Sequence, residues 1–217
     1  MGRHTQEIGI EARALEIVGR SYDNLRIMEM GAIEHKSPEP RMPASRWYKE
    51  QGASTVVSVD LNGNHDALVH DLDTPLPEVH YNRYHLVTNY GTGEHVNNQW
   101  MFFKNMHDAC KTGGIMTHAL VHVGHLPGHG RYYYNQKFVF ALAQACSYTI
   151  HGLENHASSN KGARDGIILA AFKKRKESNF PSRWKFSRQI PIVDTGDTRR
   201  TGDYNAAGFG SLPSQPN

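Results

Sequence analysis

The chain has 217 residues, 38% of them hydrophobic and 10% aromatic, and a formal net charge of +3. That size and apolar content suit one globular domain with a sizeable core and exclude a disordered chain. No apolar run approaches the ~20 residues of a membrane helix, the N-terminus lacks the basic-then-apolar layout of a signal peptide, and Gln6 stands where a myristoylation signal needs Ser or Thr. The two cysteines, Cys110 and Cys146, fall in no metal or redox spacing. They read as reduced core residues, and the expected location is the cytoplasm, with no membrane partner.

Apolar residues at Ile8, Ile10, Ala14, Leu15, Ile17 and Val18 predict a helix that ends near 21–24. The segment 25–31, LRIMEMG, reads as a short buried strand closed by glycine. Residues 42–52 read as a helix with Pro43 in the first turn and Gly52 as its stop. TVVSVD (55–60) is a second strand, DALVHDLD (66–73) a third, followed by a helical turn, and YHLVTNYG (84–91) a fourth. Helical spacing through Trp100, Phe103, Met106 and Cys110 predicts a helix over 96–114 that ends at Gly113–Gly114. A fifth strand follows at 115–123, a helix at 135–146, strands at 148–155 and 165–175, and a polar turn at 157–164 between those two.

Strand and helix alternate through the first five strands. Parallel strands need crossover connections, so the alternation predicts an α/β layer fold with a mostly parallel sheet. The last two strands, joined by a turn, imply an antiparallel edge. In such sheets ligands bind beyond the carboxyl ends of the strands. Those ends carry Glu29-Met30-Gly31, Asp60-Leu61-Asn62, Asp71-Leu72-Asp73 and Asn89-Tyr90-Gly91. A carboxylate after the second strand can accept two hydrogen bonds from a ribose diol. One after the third can accept from an adenine amino group, and several around one pocket suit a cationic ligand.

The order and content of these segments resemble a class I S-adenosylmethionine-dependent methyltransferase over about residues 25–175. The resemblance is carried by VVSVDLNG, HDLDTPLP, YHLVTNYGTGEHV and FKNMHDACKTGGIMTH. It implies a Rossmann-like, doubly wound, mostly parallel seven-stranded sheet with an antiparallel edge strand. It implies S-adenosylmethionine as cofactor, held by Glu29, Gly31, Ala32, Asp60, Leu61, Asp71, Leu72, Asn89 and Tyr90. The first loop, EMGAIEHKSPEP, departs from the family: Ile33 and His35 stand where further glycines are common. A pyrophosphate cofactor needs close backbone amides and repeated glycines, whereas S-adenosylmethionine carries no phosphate.

The stretch 117–134, THALVHVGHLPGHGRYYY, covers the fifth strand and the loop after it, on the ligand side of the sheet. His118 and His122 should share one face of the strand and be partly buried. His125 and His129 are expected to be exposed in a Gly/Pro-rich loop, near Glu94 and His95 of the fourth-strand loop. Imidazole is a good metal ligand, but His spacings of four are metal-like mainly on a helix, and the glycines and prolines argue against one here. No metal site is therefore assigned. Glu94, His95, His125 and His129 are the candidate catalytic residues, to orient or deprotonate a methyl acceptor, with Tyr132–Tyr134 as a wall. The acceptor is expected to be a small molecule or a sugar, because no nucleic-acid-reading module is recognisable. A non-catalytic module that keeps the fold, and a histidine-dependent metalloenzyme, are the alternatives.

The expected organisation is an N-terminal helical segment at 1–24, the Rossmann-like domain at 25–176, and an irregular basic C-terminal arm at 177–217. Between Lys173 and Arg200 nine basic residues face three acidic ones, which could favour an anionic partner. With few periodic apolar positions, the arm is expected to be separable, so that truncation after Arg175 leaves a folded domain. The sequence assigns no oligomeric state.

Overall fold

The structure, a computed structural model, describes residues 2–36, 39–125, 128–156 and 166–197. Leu126 and Pro127 of the histidine loop, the turn expected at 157–164 and the arm beyond Asp197 lie outside the described residues. The main sheet has seven strands: β1 (Arg26–Met30), β2 (Thr55–Asp60), β3 (Leu68–Val69), β4 (Tyr84–Tyr90), β5 (Cys110–Val121), β6 (Thr149–His156) and β7 (Ile167–Lys173). Their order is β6-β7-β5-β4-β1-β2-β3. The pairs from β5 through β3 are parallel, and β7 runs antiparallel to both β5 and β6. The expected antiparallel edge is this β6–β7 pair; β6 lies outermost and the reversed strand β7 is one place in.

Among the described residues five α-helices accompany the sheet: α1 (Thr5–Ile17), α2 (Ala44–Glu50), α3 (Gln99–Ala109), α4 (Gln136–Cys146) and α5 (Arg183–Gln189). The period-2 alternation of the strands sorts their side chains onto two faces. Ile27, Leu86, Ile115, Leu169 and Ala171 pack with Ile10, Ala14 and Leu15 of α1 and Tyr48 of α2. Met28, Val87, Met116, Ile168 and Phe172 pack with Phe102 and Phe103 of α3, Phe138 and Leu142 of α4, and Phe186 of α5. The result is a three-layer arrangement with a core on each face of the sheet.

Two boundaries differ from the sequence reading. The helix expected to reach Gly114 ends at Ala109, and β5 begins at Cys110. Its interior polar side chain Asn105 is used to tie the loop after β3, accepting from Leu76 N–H and donating to Leu72 and Thr74 carbonyls. The third strand is only Leu68–Val69, so Asp71 falls two residues beyond its end. Cys110 and Cys146 are buried free thiols, and burial pushes both up to about 12.

The N-terminal segment is integral to the fold. Arg3 is fully buried, donates to Glu11 at 2.7 Å, and lies over the rings of Trp47 and Tyr48 at 4.2 and 4.4 Å. Glu11 also accepts from the Tyr48 hydroxyl at 2.9 Å. Gly2–Arg3 pairs with Glu34–His35, so the N-terminus covers the loop after β1.

The expectation of an irregular arm is corrected over its described part, which contains a helix and a strand. Ser182 accepts from the Lys185 N–H and starts α5, whose Phe186, together with Ile190 just past its end, is buried at i, i+4 spacing. Val193–Asp194 pairs with Tyr132–Tyr133, and Asp194 receives two hydrogen bonds from Arg131 at 2.9 and 2.7 Å. The basic surface is smaller than the composition implies, since Lys174 is buried and donates to the carbonyls of His107 and Cys110. Trp184 remains exposed under Arg188. Among the described residues no helix is long and apolar enough to cross a membrane.

Candidate functional site

The carboxyl ends of β1, β2, β3 and β4 lie side by side, because these four strands are consecutive neighbours and parallel. Glu29 near the end of β1 is buried. It accepts from Ser58 Oγ at 2.5 Å through one oxygen, while the other has no hydrogen-bond partner. Burial pushes its carboxyl up to about 8, against the opposing hydrogen bond from Ser58 and the charge of Arg3. Gly31 follows with φ +98°, and its N–H donates to Val59 O at 2.8 Å. A Cβ at this position would overlap Thr92 Oγ1 and lie 3.2 Å from Thr92 Cβ. One glycine is thus obligatory here, because the turns after β1 and β4 touch backbone to side chain.

Asp60 ends β2 and joins two loops. Its carboxylate accepts from Ala32 N–H at 2.8 Å and from Asn62 N–H at 3.2 Å. A carboxylate offers about four lone-pair positions, so two can still face a diol. Asp71 accepts from Asp73 N–H at 3.0 Å, and Asp73 in turn accepts from Asn98 N–H at 2.7 Å at the start of α3. Leu61, His70, Asp71, Leu72, Asp73, His95 and Val96 line one cleft. Leu61, Asp71, Leu72 and Asp73 stand at the strand ends where the sequence places a ligand, whereas His70 and Val96 carry no such signal.

Asn89 and Tyr90 use their side chains inside the protein. Asn89 Oδ1 accepts from Thr92 and Gly93 N–H and shapes the turn after β4. The Tyr90 hydroxyl pairs with Thr117 Oγ1 at 2.7 Å within the α1-side core. Their expected role as ligand contacts therefore narrows to their backbone.

The turn after β4 presents Glu94 and His95, and the loop after β5 brings His129 to them. Glu94 Oε1 lies 3.5 Å from His129 Nε2 and 3.9 Å from His95 Nε2. The two imidazole rings meet edge to face, with centroids 4.9 Å apart. Gly130 seats the loop: a Cβ there would come within 2.9 Å of Glu94 Cγ, and Arg131 N–H donates to Glu94 O at 3.0 Å. Three of the four candidate catalytic residues thus converge.

His125 departs from expectation. It is 7% exposed, not a surface residue, and its N–H closes a turn onto His122 O. Burial, then the nearby His129 and His122, lower its pKa.

His118 is buried as expected, against Phe103 and Phe172, and burial lowers its pKa to about 3. Its folded value lies below the ordinary 6.5, so its contribution to stability is complete above pH 6.5 and is lost as the pH falls through 6.5 toward 3. The expected slope is ~1.4 kcal/mol per pH unit for one such histidine. His118→Leu should therefore flatten the decline in urea stability between pH 7 and 5.5. An unchanged slope would mean that His118 takes up its proton in the folded state.

No family model matches the sequence, and no curated protein matches it. Solved structures do. The chain is similar to 1,6-didemethyltoxoflavin-N1-methyltransferase of Burkholderia thailandensis, with 13% identity, 79% of each chain covered and a TM-score of 0.55. It is similar to an S-adenosylmethionine-dependent methyltransferase of Mesorhizobium loti, with 17% identity, 75% of this chain and 97% of that chain covered, and a TM-score of 0.51. It is also similar to the N-methyltransferase NodS of Bradyrhizobium japonicum, with 10% identity, 78% and 85% covered, and a TM-score of 0.52. The Burkholderia and Bradyrhizobium structures contain S-adenosylhomocysteine. The strand order and these likenesses define the fold: it is the Rossmann-like fold of class I S-adenosylmethionine-dependent methyltransferases.

Proposed function

We propose that the protein is an S-adenosylmethionine-dependent methyltransferase acting on a small molecule or sugar. The observation that carries this reading is the placement of Glu29 and Asp60 at the carboxyl ends of two adjacent parallel strands and of Asp71 two residues beyond a third, beside the close approach that Gly31 makes to Thr92. The residues fit the cofactor. The unpartnered oxygen of buried Glu29 suits a cationic amino group, Asp60 suits the ribose diol, and the Asp71 carboxylate suits the adenine amino group. The domain receiving it extends from the N-terminal segment through α5, since both ends pack on its cores.

Bound cofactor supplies an electrophilic methyl on a sulfonium. The chain's own residues have to align the acceptor in line with it and exclude water. Glu94, His95 and His129 are assigned to the acceptor side, where a carboxylate and two imidazoles can accept or hold a hydroxyl proton. His125, 7% exposed in the same loop, is not part of that cluster.

Calorimetry with S-adenosylhomocysteine tests the reading. Asp60→Ala removes a carboxylate that anchors two loops and is assigned two ribose hydrogen bonds. At ~1.5–3 kcal/mol per charge-assisted bond, affinity should fall by roughly 100-fold or more. No binding by the wild type, with the fold intact, would leave a non-catalytic module. Equal binding by the variant would remove Asp60 from the site.

A further inference from the structure

We propose that Glu94, His95 and His129 form a binding site for one divalent transition-metal ion, of the zinc, manganese or iron class. One donor atom from each residue lies within 4.8 Å of the other two. A cation held at ~2.0–2.2 Å by each donor needs donor separations of about 3–3.5 Å. The 3.5 Å between Glu94 Oε1 and His129 Nε2 already meets this, the 3.9 Å to His95 Nε2 needs a shift of a few tenths of an ångström, and the two imidazole donors, within 4.8 Å of each other, close on the ion by turning their rings.

The carboxylate is the second, independent observation. Glu94 is 1% exposed, and neither of its oxygens accepts a hydrogen bond; His129 Nε2 has no partner either. A buried carboxylate without partners is costly, and a cation must offset it. Direct ion pairing with a protonated imidazole would close the gap to about 2.7–2.9 Å. Separations of 3.5 and 3.9 Å instead leave room for an ion shared by all three. The support around the donors is built in. Gly130 lies against Glu94 Cγ, Arg131 N–H binds Glu94 O, and Arg131 is itself clamped by Asp194, so the loop that carries His129 is fixed on the turn that carries Glu94. Asn89 fixes that turn from below through Thr92 and Gly93 N–H.

Two imidazoles and one carboxylate select zinc, manganese or iron over magnesium or calcium, which prefer all-oxygen sites. Three protein ligands leave open positions for water and for a ligand oxygen. The ion site stands apart from the methyltransferase reading; only its catalytic role rests on that reading. In that role the three side chains act through the ion and not as proton acceptors: the ion binds an acceptor hydroxyl and lowers its pKa, and the proton passes to solvent. The oxygen lone pair forms the new bond to the sulfonium methyl, the carbon–sulfur pair returns to sulfur, and a methyl ether and S-adenosylhomocysteine result.

The test uses full-length protein freed of metal with a chelator and then titrated with Co2+ and Zn2+. The wild type should bind one equivalent, give visible cobalt absorption bands and melt at a higher temperature. Loss of an outer-sphere partner alone weakens metal binding 10–100-fold, so Glu94→Gln and His129→Ala should each weaken it by about 100-fold or more. His122→Ala, in the same loop but outside the cluster, should bind as the wild type does. Circular dichroism confirms that each variant is folded. Failure of the wild type to bind either ion, or binding by folded Glu94→Gln and His129→Ala at wild-type affinity, would overturn the site. S-adenosylhomocysteine calorimetry on the same metal-free sample separates the two readings. Cofactor binding without metal binding overturns only the ion site, and metal binding without cofactor binding overturns only the methyltransferase.

Discussion

A chain that ends at Arg175 is expected to be insoluble or molten. The segment it loses contributes Phe186 and Ile190, each 4% exposed, to the core on the α3 and α4 face. Phe186 lies 6.3 Å from the ring of Phe103 and 5.8 Å from Phe180, and Phe180 in turn lies 5.6 Å from His107. Trp100 Nε1 donates to Pro181 O at 2.9 Å, and Val193–Asp194 completes a pairing with Tyr132–Tyr133. Fully burying one such apolar side chain is worth ~1.5–3 kcal/mol. Two of them, with the hydrogen bonds lost, approach the whole ~5–15 kcal/mol by which a domain is stable. Phe186→Ala in the full-length chain is the milder version and should cost ~3–5 kcal/mol in urea unfolding. A soluble, cooperatively unfolding 1–175 fragment within about 1 kcal/mol of the full chain would show that α5 is only appended.

The arm illustrates what sequence patterning misses. A helix of seven residues has two turns, too few for a periodic stripe, and its buried face is only Phe186 plus Ile190 just beyond it. Composition marks the segment as basic, while burial is decided by two residues. The seven strands were legible for the opposite reason: buried parallel strands are β-branched runs between turn residues, and their alternation with helices leaves few topologies. The hydrogen bonds by which Asn105 ties the loop after the third strand are tertiary partners that local spacing cannot express.

The site divides in the same way. The positions of Glu29, Gly31 and Asp60 at strand ends are legible in the sequence, because position after a strand fixes the side of the sheet, while Asp71 lies two residues beyond its strand. Asn89 and Tyr90 were placed correctly along the chain, but their side chains turn inward to Gly93 and Thr117. The histidines were judged within one stretch, so spacing argued against a metal. The structure assembles Glu94 and His95 from one loop with His129 from another, 34 residues on from His95, a separation at which spacing carries no information. His125, in a loop rich in glycine and proline, reads as exposed, yet it is buried and its N–H closes a turn onto His122 O.

Gly31→Ala should abolish cofactor binding and destabilise the fold, more severely than loss of any one carboxylate. Two costs combine there. The backbone at φ +98° is one that L side chains rarely adopt, at a cost of ~1–3 kcal/mol. The added methyl also meets Thr92 head on, with Oγ1 overlapped and Cβ at 3.2 Å. Thr92 cannot retreat, because its N–H is held by Asn89 Oδ1 and it is 7% exposed. The loop after β1 must therefore move, which pulls Ala32 N–H from Asp60 and breaks the joint between the first and second loops. The double variant Gly31→Ala/Thr92→Ala separates the causes. It removes the overlap with Oγ1 and leaves the backbone cost, so stability should return in part, and S-adenosylhomocysteine affinity should recover only as far as the loop regains Asp60. Calorimetry and urea unfolding of the two variants read both quantities. If Gly31→Ala alone binds like the wild type, the turns after β1 and β4 are not in contact and the cofactor site is elsewhere. If the double variant gains nothing over the single one, backbone conformation alone decides this position, and Thr92 is a bystander.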